Sequence, residues 1–223
     1  MLAIWFPGPL FQAAGGNDLL FILVGVDVVI GPLLTLAVFK AGKPGMKFDL
    51  AVIGILQIAA LVYGSWVVAA SRPVFVVFVK DRFEVASAIE VQEEDLKLAR
   101  YPQFSRMPLT GPQWAVVDWP ADQAEQQKLV QLALQGIDAH VFPKYFAPFE
   151  ERTKEVLAKA QPIAEVRKTE PKHAEIIDAY LKRSGTPEAA VRYVLLKAFR
   201  AFVAVLVDAK TGYPVKMLIV EKI

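Results

Sequence analysis

The sequence predicts an α+β protein anchored in a membrane, with two N-terminal transmembrane helices followed by a periplasmic domain of an antiparallel sheet and packed helices. Two 21-residue apolar runs lie in the first third, Leu19–Phe39 with one charge and Leu50–Ala70 with none. Four of the 25 basic and three of the 23 acidic residues precede Pro73, which leaves 21 and 20 for the remainder. In that remainder, strand-like runs stand at both ends with helical spacing between them, the pattern of an antiparallel sheet with helices on it.

At about 1.5 Å per residue, each apolar run reaches roughly 30 Å, the thickness of a bilayer core. Neither has the basic flank and small-residue cleavage site of a signal peptide. Lys40, Lys43 and Lys47 fall between the runs with no acid before Asp49, and the first 18 residues hold no Lys or Arg. The positive-inside rule then places the linker in the cytoplasm and both flanks outside. The expected order is an interfacial or periplasmic segment over 1–18, a transmembrane helix over 19–39, a cytoplasmic linker over 40–49, a second transmembrane helix over 50–70 and a periplasmic domain over 73–223. In a bacterium with two membranes this is an inner-membrane protein. Trp5, Phe6, Tyr63 and Trp66 fit interfacial anchors at the outer surface.

Asp27 lies near mid-bilayer, where a charge costs several kcal/mol. Gln57 on the antiparallel partner falls at a similar depth. The pair reads as a polar contact that fixes helix packing, or as a docking point for another protein's helix. Gly31-Pro32 predicts a kink one turn on. Gly54 and Gly64 allow close approach of a neighbouring helix.

Beyond the membrane, Val74–Val79 is a β-branched and aromatic run that predicts a strand. Lys80-Asp81-Arg82 turns it, and Phe83–Ser87 alternates like a return strand. Glu93–Arg100 reads as a short helix with acids in its first turn. Gln113–Asp118 reads as a strand, and 121–135, 149–160 and 172–183 as helices bounded by Pro and Gly. Val191–Leu196 fits strand or helix. Ala201–Val207 and Tyr213–Val220 are strands joined by Asp208–Gly212.

Composition excludes several chemistries. With no cysteine there is no disulfide, thiolate metal site or cysteine nucleophile. A nearly neutral domain lacks the basic face that nucleic acid requires. His140 and His173 have no metal-type partner in sequence and read as surface or cap residues. Glu93-Glu94-Asp95 reads as a solvated helix start, and Arg192, Lys197 and Arg200 as solvated side chains. Walker A, Gly-x-Ser-x-Gly and Gly-x-Gly-x-x-Gly patterns are missing. The chain is therefore expected to be no enzyme and to need no metal or cofactor.

Several motifs together resemble the type IV pilin accessory proteins of the TfpX/TfpZ type. They are Trp5–Leu10, Asp27 with Gly31–Thr35, Lys47–Leu50, Gln57, Tyr63-Gly64, Arg72-Pro73, Asp81–Phe83, Leu109–Pro112 and Leu206–Gly212. The resemblance implies a non-enzymatic inner-membrane accessory factor that assists assembly of a cognate pilin. Its expected partners are the pilin, inner-membrane components of pilus assembly and the lipid bilayer. It also implies a hydrophobic helix ahead of the Trp5-Phe-Pro element, where this sequence has four residues. The alternative from another class is an extracytoplasmic ligand-sensing membrane protein, for which linker 40–49 leaves little room for an output domain.

Overall fold

The run that predicts the first strand forms β1 (Pro73–Val79), buried along its whole length. β1 lies inside a sheet covered on both faces, which is why its sequence is continuously apolar rather than alternating. The computed structural model describes residues 2–25, 31–38 and 46–223. These fall into two units. The helical unit is Gly15–Ser71, and the sheet unit joins the N-terminal stretch through Ala14 to Arg72–Ile223.

The sheet has seven strands in the order β4-β3-β1-β2-β5-β6-β7. Besides β1 they are β2 (Arg82–Ser87), β3 (Gln113–Val117), β4 (Phe146–Pro148), β5 (Val191–Lys197), β6 (Ala201–Asp208) and β7 (Pro214–Lys222). The antiparallel sheet expected from sequence is corrected to a mixed one, because β1 pairs with β3 and β2 with β5 in parallel. Tight links such as Lys80-Asp81 force their two strands to run antiparallel. The long connections over 88–112 and 149–190 carry the chain back in either direction.

On one face, Val76, Phe78, Phe83, Leu196, Val203 and Val205 pack under Val156 of α8 (Thr153–Lys159) and under Leu10 and Ala13 of α2 (Leu10–Ala13). The other face carries two clusters. Phe75, Val77, Ala115 and Val117 meet Phe104, Tyr145 and Phe146, with Leu96 of α6 (Glu93–Lys97) and Leu129 of α7 (Gln123–Leu134). Tyr193, Ala204 and Leu206 meet α9 (Ile163–Thr169) and α10 (Pro171–Ser184). α10 buries His173, Ala174, Ile177 and Leu181, the three-and-four spacing of an amphipathic helix. It ends at Gly185, whose φ of +69° suits a residue without a Cβ.

The helical unit contains α3 (Gly16–Gly25), α4 (Gly31–Val38) and α5 (Met46–Ala70), with α3 and α4 each packed on α5. α5 has 25 residues, roughly 37 Å of helix. Among the described residues it alone is long and apolar enough to cross a membrane. Ile55, Leu56, Ile58, Leu61 and Val62 are exposed along it, whereas a soluble core helix would bury them.

Of the first expected span, 19–39, the structure describes the parts that lie in α3 and α4. Gly31 and Pro32 are the first described residues of α4, and the kink expected there involves residues that lie outside the described ones. Residues 26–30, Asp27 among them, lie outside the described residues, as do Lys40 and Lys43.

Candidate interaction site on the sheet unit

The N-terminal stretch is built into the sheet unit. α1 (Leu2–Trp5) leads through Pro7-Gly8-Pro9 into α2, and Gly8 turns the chain with a φ of +62°. Phe6, Leu10 and Ala13 are buried. The Trp5 indole N–H donates to the Leu109 carbonyl at 2.9 Å, and the Arg72 guanidinium lies 5.4 Å from the Trp5 ring centroid. The Arg200 backbone N–H donates to the Ala13 carbonyl at 2.8 Å. Gly111 (φ +105°) passes so close that a Cβ there would sit 2.8 Å from the Ile4 carbonyl oxygen.

Phe6 is thus corrected from a membrane-interface anchor to a core side chain, and Trp5 is tied to the loop before β3. The motifs Trp5–Leu10, Arg72 and Leu109–Pro112, far apart in sequence, meet in this one seam. Leu10→Ala should cost about 2–4 kcal/mol, because Leu10 is 2% exposed and its loss leaves a cavity beneath α2. Urea unfolding of the purified full-length chain in detergent checks this, with an unchanged midpoint as the contrary result.

Beside the seam is a cleft of about 480 Å³. Pro7, Leu10, Pro112, Trp114, Phe149 and Met217 line it, with Glu150 and Lys216 supplying charge. Phe149 stacks edge-on with Trp114 and Tyr213, at centroid distances of 5.9 and 5.8 Å, which stiffens the wall. β7 forms part of the lining and, among the described residues, is an edge strand paired only with β6. One side of its backbone therefore has no strand neighbour among the described residues, the arrangement that accepts an added strand from a partner. Val215 in this stretch is exposed.

A buried polar group lies on β2. Glu84 is 5% exposed and accepts from Arg82 Nε at 2.7 Å, while His140 Nδ1 lies 3.0 Å from its other oxygen. Burial alone would raise the carboxyl pKa, but His140 and Arg82 outweigh it and hold Glu84 at about 2. His173 is also buried. Its Nδ1 lies 3.1 Å from the Tyr193 hydroxyl and also contacts Glu170, and its Nε2 is 3.5 Å from Glu221. Burial, with the Glu170 carboxylate, pushes the Tyr193 hydroxyl up.

Both histidines thus differ from the surface or cap roles expected of them. His140 meets Glu84 and His173 meets Glu221, carboxylates distant in sequence, besides Glu170 three residues before His173; each histidine ties a helix or loop to the sheet. Among the described residues no cluster of three or more His, Asp or Glu is placed to hold a metal ion.

The described residues among those expected to act in the membrane belong to the helical unit. Gln57 is half-buried on α5, with Gly64 buried and Gly54 half-buried; a Cβ added at Gly54 would meet nothing. Lys47 is exposed near the start of α5. The expected contact of Gln57 with Asp27 lies outside the described residues.

Over 198 residues, 87% of this chain, the sequence is 31% identical to the fimbrial assembly protein, serogroup I, of Dichelobacter nodosus, and the match covers 71% of that protein. The chain belongs to the fimbrial assembly protein family. The serogroup E1 fimbrial assembly protein of the same organism is 28% identical over 164 residues, 73% of this chain and 63% of its own length. The protein of serogroups C1 and C2 is 32% identical over 98 residues, 43% of this chain and 75% of that protein. No family model and no solved structure matches the chain. The relatives' names agree with the resemblance to type IV pilin accessory proteins.

Proposed function

We propose that this fimbrial assembly family member is a non-enzymatic, membrane-anchored accessory factor for type IV pilus biogenesis, acting on a cognate pilin or an inner-membrane assembly component. The observation that carries the reading is the match to the serogroup I fimbrial assembly protein along 87% of the chain. In this reading α5 crosses the inner membrane, with Lys47, Lys40 and Lys43 on the cytoplasmic side and the sheet unit in the periplasm.

Connectivity adds a constraint. The stretch through Ala14 and the chain after Arg72 belong to one folded unit, so both lie on the same side of the membrane. If α5 crosses, the chain between Ala14 and Met46 must cross as well, and α3 and α4 supply its apolar residues. Asp27 and Gln57 would then be polar groups within the bilayer, available to a partner's transmembrane helix.

The cleft and the free side of β7 are the surfaces we assign to the partner. An extended segment added to β7 would gain backbone hydrogen bonds and place a side chain in the apolar cleft. Deleting the gene should reduce surface pili and twitching at least tenfold, with recovery on complementation. Val215→Asp should fold with stability within about 0.5 kcal/mol of the natural chain, since the site is exposed, yet should not restore piliation. Normal piliation by the cognate pilin in the deletion strain contradicts the proposal.

A further inference from the structure

We propose that one end of the sheet is a lipid-contact surface, built to rest on the anionic headgroups of a bilayer. The starts of β1, β3 and β6 and the ends of β2, β5 and β7 point to this end, the β5–β7 part being set back so that Lys197 lies level with Glu84 and the 198–200 turn carries the chain on towards the level of Ser87. Both points where the chain leaves the sheet unit are here. Arg200 binds the Ala13 carbonyl, and the Ala88 N–H donates to the Arg72 carbonyl at 2.9 Å.

The same end carries large apolar side chains that the fold leaves in the open. Ile4, Ile89, Leu109, Phe199 and Ile223 are 56, 66, 73, 79 and 62% exposed. Trp5 anchors Leu109 at this end, and the Ile223 N–H donates to the Arg200 carbonyl at 2.9 Å, drawing the C-terminus in. Exposed apolar side chains gathered at one place on a folded unit mark a surface that is covered in use.

Charge identifies what covers it. The exposed cations Lys197, Arg200 and Lys222 neighbour Phe199 and Ile223, against the acids Glu90 and Glu221. Glu90 is already engaged by the Ser87 N–H at 2.8 Å and by its hydroxyl. The Arg200 guanidinium lies 5.5 Å from the Phe199 ring centroid, an aromatic body with a cationic companion. Aromatic and aliphatic side chains mixed with Lys and Arg match the interfacial layer of a bilayer with anionic lipid. At the opposite end, the hairpin turns Lys80-Asp81 and Asp208–Gly212 are polar and charged.

The inference rests on the reading that α5 spans a membrane, and its test separates the two. The chain has no cysteine, so single labels are readily placed. Full-length Ile89→Cys, Leu109→Cys and Phe199→Cys chains, each carrying a bimane label, are reconstituted in phosphatidylethanolamine–phosphatidylglycerol liposomes containing brominated lipid. Lys210→Cys and Leu134→Cys, both exposed elsewhere, are the dry-side controls, and Leu61→Cys on α5 is the membrane control. Quenching at 89, 109 and 199 at least twice that at 134 and 210 is expected. Strong quenching at 61, with 89, 109 and 199 no higher than the controls, overturns the lipid surface while leaving the span intact. Absence of quenching at 61 overturns the span and the surface with it.

Discussion

Gly111→Ala should destabilise the sheet unit by about 2–4 kcal/mol, from two separate costs. The first is conformational, because the φ of +105° belongs to a region that residues with a Cβ avoid. The second is steric. The new methyl would stand 2.8 Å from the backbone oxygen of Ile4, which cannot retreat without disturbing the neighbouring Trp5 bond to Leu109.

Gly136→Ala is the matched control. Gly136 has a φ of +87°, but a Cβ there would meet nothing, so only the backbone cost of about 1 kcal/mol applies. Denaturant unfolding should rank Gly111→Ala below Gly136→Ala, and limited proteolysis should open the N-terminal stretch only in the former. Equal loss in both variants would mean that the seam contributes nothing beyond backbone preference.

Glu84 should make the fold sensitive to acid in a defined window. Its folded pKa of about 2 is depressed from the ordinary 4.5, so its stabilisation is present above pH 4.5 and is lost as pH falls towards 2. For a carboxylate held by Arg82 and His140, the loss over that window should be about 1–3 kcal/mol. Glu84→Gln removes the charge and keeps the shape, leaving Arg82 and His140 beside a neutral amide. It should cost about 3 kcal/mol at neutral pH. The gap between natural and variant chains should narrow as pH drops from 4.5 to 2.5. Unfolding midpoints across that range check it, and parallel curves would show that Glu84 does not carry the acid response.

Much of the fold was legible in the sequence where local pattern and burial agree. Val74–Val79 announced β1 because its run of β-branched and aromatic residues suits a strand buried on both faces. The turn at Lys80-Asp81 and the pair Ala201–Val207 and Tyr213–Val220 were legible because a hairpin is a local event. Strand direction across β1/β3 and β2/β5 was not, since it depends on long connections that leave no period in the sequence. β4 was missed for being three residues long, and α9 for lying between Pro162 and Pro171, where composition reads as loop.

The interaction site was legible only in pieces. Trp5–Leu10 stood out as aromatic and proline-rich, which for a stretch beside a membrane run also describes an interfacial anchor. Only the folded chain brings Phe6 and Leu10 into the core and Gly111 against Ile4. Likewise His140 lies 56 positions from Glu84 in sequence, so no spacing rule joins them. Gly111 left one signal, a glycine before a proline in a loop, and such a residue more often marks a turn than a close approach of two backbones.

The central claim is that the N-terminal stretch and the sheet unit share the outer side of the membrane while the lysine-rich linker stays inside. Single-cysteine chains Gln12→Cys, Lys43→Cys and Lys210→Cys, treated with a membrane-impermeant maleimide in spheroplasts, test it directly. The account predicts labelling at 12 and 210 in sealed spheroplasts, and at 43 only after the membrane is opened. Labelling of 43 from outside, or of 12 and 210 from opposite sides, would contradict it.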